Sequence, residues 1–298
     1  MASADASRAS RVSYILISMD PERETAPDMN GCAASDTGAG AAPQGPFSRT
    51  ELVIGKEGLA FLKRSKVAIV GIGGVGSWAA EAIARAGVGH LVLIDDDTVC
   101  VTNINRQVIA TMGSIGRPKV DAMRDRILDI NPEAEVDAIE ARFGPDSADR
   151  LIAPGLDYIV DAIDSISSKV ALILRARELG IPIVSSMGTG NKLDPTRLEI
   201  ADISETSVCP LARVMRRELR KRGVESLKVI YSREEPVHVY ETALPGRASQ
   251  GTGDMEPGKA RRSVPGSISF VPPVAGLIAA SVVVRGILDS KPSFSSPS

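Results

Sequence analysis

The sequence predicts an α/β protein with a Rossmann-like, doubly wound and mostly parallel sheet, to which C-terminal strands and helices are added. Three observations lead to this prediction. Apolar runs of strand length alternate with segments of helical periodicity over residues 66–186. The first run leads directly into the glycine-rich turn GIGGVG, and the second ends in an acidic residue. Such alternation is typical of a parallel sheet covered by helices on both faces.

A nucleotide-binding turn is predicted after the first strand, Lys66–Val70, and before an alanine-rich helix at residues 77–86. The glycines of the turn are Gly71, Gly73, Gly74 and Gly76. Glycine allows a tight turn with positive φ and lets the backbone approach a phosphate at a helix N-terminus. The second strand, residues 90–94, ends in Asp95, where such folds place a carboxylate on ribose hydroxyls. Dehydrogenases use the same layout, and glycines that only close a turn would share the spacing.

Candidate phosphate ligands follow Asp95. Three successive carboxylates, Asp95 to Asp97, are followed by TNINRQ at residues 102–107 and GRPK at residues 116–119. A dinucleotide carries about two phosphate charges, and a helix N-terminus neutralises much of that. A nucleoside triphosphate carries more, and attack at phosphorus requires cations. Arg106 and Lys119 fit that task, although each could instead be a solvated surface charge.

The remaining elements continue the alternation and then depart from it. Helices are predicted at residues 50–64, 117–130 and 167–179, the last ended by Gly180, and strands at residues 135–140, 156–162 and 181–186. Beyond Gly190 the predictions are a strand at 197–203, a helix from Pro210, a strand-like segment at 231–240, a long loop at 241–265 and a strand at 267–271. The apolar run 274–284 is shorter than the 18 or so residues that span a bilayer. It predicts a buried helix and no stable membrane insertion.

Composition limits the domain organisation and the compartment. Residues 1–46 are rich in Ala, Ser, Gly and Pro, which predicts a disordered extension; a start codon assigned too far upstream is the equally weighted alternative. Residues 291–298 are predicted to be a disordered tail. Residues 47–290 are predicted to form one domain, with a nucleotide-binding core at about 66–190 and a substrate-side region at about 191–288. Three widely spaced cysteines without a CxxC pair favour a reducing, cytoplasmic compartment over a disulfide framework or a zinc site. The net charge of −2 gives no global attraction to nucleic acid.

A local basic surface is nevertheless predicted on the helix that follows Cys209. Its candidate RNA contacts are Arg213, Arg216, Arg217, Arg220 and Lys221. Basic residues on one helix are suited to a nucleic-acid backbone, and a solvated amphipathic face is the equally weighted alternative. Cys209 at the helix start could be a nucleophile or, more simply, a packing residue.

Five sequence blocks in order carry a family resemblance: GIGGVG, LIDDDTVCVTNINRQ, GRPKV, INPEAEV and DAIDS. They resemble the adenylating enzymes related to ubiquitin activation, over residues 47–288. The match is closer to the branch of that family that dehydrates threonylcarbamoyladenosine in tRNA. Relatives that activate sulfur-carrier proteins commonly have paired CxxC motifs, which this chain lacks.

The resemblance implies roles for particular residues. The glycine turn and Asp95 are expected to hold ATP, and Asn103, Arg106 and Lys119 to contact its ribose and phosphates. Asp97 and Gln107 are included in the predicted nucleotide site. Asp164 in DAIDS is expected beside Mg²⁺ and the phosphates, although it could simply cap the next helix. Arg49 is expected to reach the ATP of a partner subunit, which implies a homodimer.

The function expected from the resemblance is ATP-dependent cyclisation of threonylcarbamoyladenosine in tRNA through adenylation of its carboxylate. Catalysis would rest on Arg106, Lys119, Asp164 and Arg49 in trans, with ATP and Mg²⁺ as the cofactors. A sulfur-relay protein is a further candidate partner. Two alternatives stay open: adenylation of the C-terminal glycine of a small sulfur-carrier protein, and, more remotely, an NAD-dependent oxidoreductase.

Overall fold

The computed structural model describes residues 45–240 and 265–290. The predictions for residues 1–44, for most of the 241–265 loop and for the tail 291–298 lie outside these residues. Gly45 and Pro46, expected to belong to a disordered extension, instead lead into the first helix as a turn. The Ser48 hydroxyl accepts a hydrogen bond from the Gly45 N–H at 2.7 Å and donates one to its carbonyl oxygen at 3.0 Å.

A seven-stranded sheet forms the centre of the fold, as predicted for a doubly wound protein. Its strands are β1 (Lys66–Val70), β2 (His90–Asp95), β3 (Glu135–Glu140), β4 (Tyr158–Asp161), β5 (Ile183–Ser186), β6 (Leu198–Asp202) and β7 (Lys228–Ser232). The order is β3-β2-β1-β4-β5-β7-β6. All neighbours are parallel except β6 and β7. The chain reverses its strand order between β1 and β4, where ligands of such sheets bind.

Seven helices of the described residues surround the sheet. They are α1 (Ser48–Arg64), α2 (Gly76–Ala86), α3 (Lys119–Ile130), α4 (Ala148–Leu151), α5 (Ile166–Glu178), α6 (Pro210–Arg220) and α7 (Val271–Asp289). The predicted cap of α5 is confirmed, because Gly180 has the left-handed φ of 65° that ends a helix without strain. Gly55, with φ 73° and ψ 168°, breaks the helical geometry within α1.

Helix α7 is longer than predicted and belongs to the core. The sequence suggested about eleven residues, but the helix has 19 and is long and apolar enough to cross a membrane by those two criteria. Most of this helix is buried inside the protein, however. At Gly276 it packs closely against the start of α2. A Cβ atom there would lie 2.4 Å from the carbonyl oxygen of Val75. The helix therefore covers the face of the sheet on which α2 lies.

Two predicted strands are wrong. The segment expected at 231–240 is strand only up to Ser232, because pairing with β6 begins at Lys228 and ends there. In the segment 267–271, expected as the last strand, residues 267–270 are irregular and Val271 begins α7. Both segments have apolar residues that the sequence pattern alone assigned to strands, but within the described residues 233–240 and 267–270 form no ladder with a neighbouring strand.

Candidate nucleotide-binding site

The glycine turn lies at the carboxyl ends of β1 and β4, where backbone atoms from both strands meet. Gly71 has φ 91°, and a Cβ atom on it would lie 2.7 Å from the carbonyl oxygen of Ala162. A Cβ atom on Gly76 would lie 1.7 Å from the carbonyl oxygen of Gly71. These two glycines are therefore required to close the turn, whatever binds to it.

Gly73 differs, because the protein leaves space beside it. The nearest atom to a Cβ built there is the Nε2 of Gln107, 4.0 Å away, so the fold itself does not require glycine. Gln107 is buried, and its Oε1 accepts no hydrogen bond from the described residues. A buried acceptor without a partner is costly unless a ligand or water supplies a donor. The space between Gly73 and Gln107, at the start of α2, thus has the properties of a ligand site.

Asp95 is held at the end of β2 by two backbone groups. Its Oδ2 accepts from the Ile72 N–H at 2.6 Å, and its Oδ1 accepts from the Asp97 N–H at 2.8 Å. An ionised carboxylate has about four acceptor positions, so acceptor positions remain for ribose hydroxyls. Burial raises the pKa of Asp95 above its ordinary 3.8, while Lys119 opposes this rise. Asp95 therefore fixes the first turn of the glycine loop as well as facing the site.

Lys119 reaches this corner because two loop segments pair with each other. The chain after β2 and the chain before α3 form a short antiparallel bridge at Thr98 and Pro118. The Lys119 ammonium then donates to Asp97 Oδ2 at 2.6 Å and lies 3.7 Å from Asp95 Oδ1. The sequence predicted all three residues but gave no sign of this ion-pair arrangement.

Arg106 lies beside the glycine turn. A Cβ atom on Gly74 would be 3.2 Å from Arg106 Cγ, and the Trp78 indole N–H donates to the Arg106 carbonyl oxygen at 3.0 Å. The guanidinium donates to the carbonyl oxygen of Thr102 and to the Asn105 side chain, both at 3.0 Å. Arg106 is therefore positioned next to the glycine turn by backbone and side-chain contacts.

Asn103 has a structural contact of its own. Its Oδ1 accepts from the Cys100 N–H at 3.1 Å, and its side chain is buried in the loop that carries Arg106. The side-chain NH₂ group is the part that can still donate to a ligand. Asn103 thus helps to shape the loop in addition to its predicted ribose or phosphate contact.

The two aspartates of DAIDS have different environments. Asp161 is fully buried, whereas Asp164 is exposed at the start of α5 and has no hydrogen bond or ion pair within the described residues. The alternative that Asp164 caps α5 is not supported, because Ser165 occupies the N-cap position and no side chain caps this helix end. Asp164 borders a groove of about 840 Å³ between α5, α6 and residue 145.

A magnesium ion fits Asp164 better than the neighbouring acidic triplet. One oxygen from each of Asp95, Asp96 and Asp97 lies within 4.8 Å of the others. The ammonium of Lys119, however, contacts two of these carboxylates and would repel a cation there. Asp164 offers a carboxylate that has no ion pair among the residues the structure describes, and Mg²⁺ in nucleotide sites is usually held by one or two carboxylates together with phosphates.

Comparison with known proteins identifies the family. The model of the ThiF family matches residues 47–296. The chain belongs to the ThiF family. The match includes the whole carboxyl edge of the sheet described above, and the family is the one that the sequence resemblance predicted.

Curated relatives and solved structures that are similar to this ThiF-family chain carry the same enzyme name. It is 48% identical over 243 residues to the tRNA threonylcarbamoyladenosine dehydratase of Bacillus subtilis, which covers 81% of this chain and 94% of that protein. The Escherichia coli protein of the same name is 42% identical over 58% of this chain and 65% of its own length. A crystal structure of the E. coli enzyme TcdA in complex with ATP superimposes with a TM-score of 0.71 and 33% identity, covering 82% of this chain and 94% of that one.

Arg49, which is predicted to reach the ATP of a partner subunit, is exposed in the first turn of α1 of this ThiF-family chain. Within the described residues its side chain has no hydrogen bond or ion pair. Leu52 and Val53, on the same helix, are also exposed. The role of Arg49 in a partner subunit stays a prediction.

Helix α6 presents only part of the predicted basic surface to solvent. Arg213 and Arg220 are exposed and form no ion pair with the described residues, whereas Lys221 and, less closely, Arg217 pair with Glu218. Arg216 donates to the Thr206 carbonyl oxygen at 2.7 Å and so fastens α6 to the preceding loop. Cys209 is buried in the core, which favours packing over the nucleophile alternative.

Sequence reasoning missed the contribution of the C-terminal segment to the site. A Cβ atom on Gly74 would lie 3.0 Å from Pro272 Cβ, and Asn105 donates to the Ser267 carbonyl oxygen at 2.9 Å. Pro272 in the first turn of α7 therefore supports the glycine turn, and Ser267, just before that helix, supports the Arg106 loop. No local sequence motif predicts such a contact, because the contact depends on where α7 packs.

Proposed function

We propose that this ThiF-family protein is an ATP-dependent tRNA threonylcarbamoyladenosine dehydratase. The observation that carries the proposal is the packing of Arg106 against Gly74, beside the open backbone at Gly73. This arrangement combines a cation with the backbone N–H groups of a helix start, which suits a triphosphate better than a dinucleotide. The relatives described above supply the substrate class.

ATP is proposed to lie along the carboxyl edge of the sheet. Asp95 would accept hydrogen bonds from the ribose, with Asn103 and Gln107 contributing polar groups near it. The phosphates would approach Gly73 and the first turn of α2. The Gln107 Oε1 acceptor, which lacks a partner within the described residues, supports a donor on the ligand beside it, and a ribose hydroxyl is such a donor.

Charge neutralisation is assigned to Arg106, Lys119 and, from the partner subunit of a homodimer, the equivalent of Arg49. The exposed Leu52 and Val53 support a partner surface on α1, because large apolar side chains are commonly covered in an assembly. Mg²⁺ held by Asp164 would neutralise phosphate charge as pyrophosphate leaves. The side chains would act mainly by positioning and electrostatics.

The proposed reaction has two displacements. A carboxylate oxygen of the tRNA-bound threonylcarbamoyl group attacks the α-phosphorus of ATP, and pyrophosphate leaves. An amide nitrogen of the same group then attacks the activated carbonyl carbon and loses its proton, and AMP leaves with the former carboxylate oxygen. The tRNA nucleoside has lost the elements of one water molecule, and no thioester on Cys209 is required.

The tRNA is proposed to contact α6 through Arg213 and Arg220, whose guanidinium groups have no ion-pair partner within the described residues. Arg217 and Lys221 could contribute after exchange of their Glu218 contacts. The cytoplasm is the proposed compartment, because the cysteine pattern suits a reducing environment and the substrate is a tRNA. A sulfur-relay protein is retained as a proposed additional partner.

One alternative is supported by a specific comparison. The molybdopterin-synthase adenylyltransferase of Salmonella typhimurium is 37% identical over 43% of this chain. If the protein shared that activity class, a carrier protein would stimulate ATP–pyrophosphate exchange and tRNA would not. An NAD-dependent oxidoreductase would instead bind NADH tightly and ignore ATP.

The deciding experiment is mass spectrometry of anticodon-loop nucleosides after tRNA that contains threonylcarbamoyladenosine is incubated with the protein, ATP and Mg²⁺. We expect the modified nucleoside to lose one water molecule, with stoichiometric AMP. Reactions without ATP, and reactions with Arg106→Ala, are the controls. An unchanged nucleoside with the wild-type protein would refute the proposed function.

A further inference from the structure

Three fully buried polar side chains meet beneath the candidate nucleotide site. Asp161 at the end of β4, Lys169 in α5 and Ser185 in β5 each have 0% exposure. The Lys169 ammonium donates to Asp161 Oδ2 at 2.9 Å, and the Ser185 hydroxyl donates to the same oxygen at 2.6 Å. The ammonium also donates to Ser185 Oγ at 3.2 Å, which closes a triangle of hydrogen bonds.

Stability alone does not account for this triangle. Removing two charges from water costs several kcal/mol per ion, and replacing a buried ion pair with apolar residues is often neutral or stabilising. Lys169 lies in α5 next to the buried Val170 and close to Leu172 and Ile173. A methionine at position 169 would suit these surroundings. The ion pair instead fixes a defined geometry that an apolar side chain would not impose.

The geometry that it fixes is that of the turn leading to Asp164. The second oxygen of Asp161, Oδ1, accepts from the Ile163 N–H at 3.2 Å. The Ala162 N–H donates to the Val70 carbonyl oxygen at 2.9 Å, and the Ala162 carbonyl oxygen faces Gly71. The turn is therefore held from below by the triangle and from the side by the glycine loop, and Asp164 is its next residue.

The geometry points to a positioning role for the Asp161–Lys169–Ser185 triangle: it holds the turn at residues 162–164 so that the Asp164 carboxylate faces the ATP phosphates. Lys169 is thus a positioning residue and does not touch the nucleotide. The inference rests on the proposed adenylation activity, because it assigns Asp164 to the phosphate side of that site.

The first test uses the double variant Asp161→Asn with Lys169→Met. Removing either charge alone would leave the other buried and unpaired, whereas the double variant removes both. We expect a folded protein whose KM for ATP is little changed, because the glycine turn and Asp95 are intact. The kcat of tRNA-dependent ATP–pyrophosphate exchange should fall on the order of 100-fold, the effect of a displacement of about 1 Å near a reacting centre.

The second test asks whether the triangle acts through Asp164. If it does, combining Asp164→Asn with the double variant should cause no further fall in the kcat of exchange. The triple variant should then be no slower than the slower of Asp164→Asn and the double variant. Multiplied losses, or a folded double variant with wild-type exchange, would overturn the inference. The variant Glu81→Gln with Arg126→Met removes another ion pair, between the buried Glu81 of α2 and the partly exposed Arg126 of α3, and should keep wild-type exchange.

Two further measurements keep the test decisive. If the double variant does not fold, Ser185→Ala removes one hydrogen bond but keeps both charges. Ser185→Ala should reduce the kcat of exchange by a smaller factor, and should cause no further reduction when combined with Asp164→Asn. Wild-type exchange in Ser185→Ala would overturn the inference. Binding of Mn²⁺ in the presence of ATP, followed by electron paramagnetic resonance, should weaken in both the double variant and Asp164→Asn. Wild-type protein without tRNA-dependent exchange would refute the proposed function, whereas unchanged Mn²⁺ binding in the double variant would refute the positioning role.

Discussion

Lys119 and Asp97 are joined twice, once through their side chains and once through their backbones. The Lys119 ammonium donates to Asp97 Oδ2 at 2.6 Å, and the Lys119 N–H donates to the Asp97 carbonyl oxygen at 3.0 Å. The lysine side chain is 6% exposed, against 68% for the aspartate. The ammonium is therefore fixed at the carboxyl edge of the sheet before any ligand arrives, which lowers the cost of orienting it toward a phosphate.

Replacing this ammonium should weaken ATP binding. We expect Lys119→Met to lose a charge-assisted hydrogen bond worth about 1.5–3 kcal/mol, which corresponds to about a 10- to 150-fold increase in Kd for ATP. Isothermal titration calorimetry measures this directly. Lys228→Met is a matched control, because Lys228 is exposed at the first residue of β7. An unchanged Kd in Lys119→Met would remove this residue from the phosphate site.

Arg106 should matter for the chemical step. We expect Arg106→Ala to reduce tRNA-dependent ATP–pyrophosphate exchange by about 100-fold or more, because a fixed positive charge beside the transferring phosphates is lost. The exposed Arg150 in α4 provides a control, and Arg150→Ala should exchange normally. Near-normal exchange in Arg106→Ala would contradict its catalytic assignment.

Alanine substitutions of the turn glycines should distinguish residues needed for folding from residues needed for ATP binding. Gly73→Ala places a methyl group in open space, so we expect a wild-type melting temperature but strongly weakened ATP binding. Gly76→Ala forces a Cβ atom to within 1.7 Å of the Gly71 carbonyl oxygen and should destabilise the fold by about 3 kcal/mol or more. Gly113→Ala, also in open space but away from the turn, should change neither. Thermal melts and nucleotide titrations on the three variants provide the comparison, and normal ATP binding by Gly73→Ala would argue against phosphate at this backbone.

ATP affinity should depend on pH through Asp95. Burial raises its pKa above 3.8, so the carboxyl group becomes protonated at a higher pH than an ordinary aspartate. The protonated form accepts fewer hydrogen bonds from ribose, so affinity should be greatest above the raised pKa and fall as the pH drops through it. Stability of the ligand-free protein changes in the opposite sense: the contribution of Asp95 is fully present below pH 3.8 and is lost as pH rises through the raised pKa. Both pH dependences should be absent from Asp95→Asn. If ATP affinity in that variant changed with pH as it does in the wild-type protein, the assignment of Asp95 to the ribose would be refuted.

The basic helix should be detectable by its salt dependence. If Arg213 and Arg220 contact phosphates, the double variant to alanine should lower tRNA affinity and reduce the slope of log K against log salt by about 2. Arg216→Ala is an informative comparison, since its guanidinium is bound to the Thr206 carbonyl oxygen. It should mainly lower the melting temperature and leave the salt slope less affected. An unchanged slope in the double variant would favour a solvated helix face.

The elements of the nucleotide-binding half could be predicted because their signals are local. Strand β1, strand β2 and the glycine turn between β1 and α2 are specified by neighbouring residues and by conformations that few residue types allow. The two wrong strands lie where the pattern is equally local but the outcome depends on pairing. Residues 237–240 read VHVY, which is typical of a strand, yet the antiparallel pairing with β6 ends at Ser232. Arg216 resembles its neighbours in sequence, and only the fold shows that a carbonyl oxygen binds it.

By itself the sequence determined the five parallel strands β1 to β5, the glycine turn and the identity of the charged groups at the sheet edge, because these follow from residue type, periodicity and steric limits on the backbone. Tertiary structure alone decided that Asp161 is buried against Lys169 while Asp164 faces solvent, although the two are three residues apart. It also decided that the start of α7 supports the glycine turn. Burial and electrostatic pairing depend on which distant segments pack together, and that information lies in the whole fold.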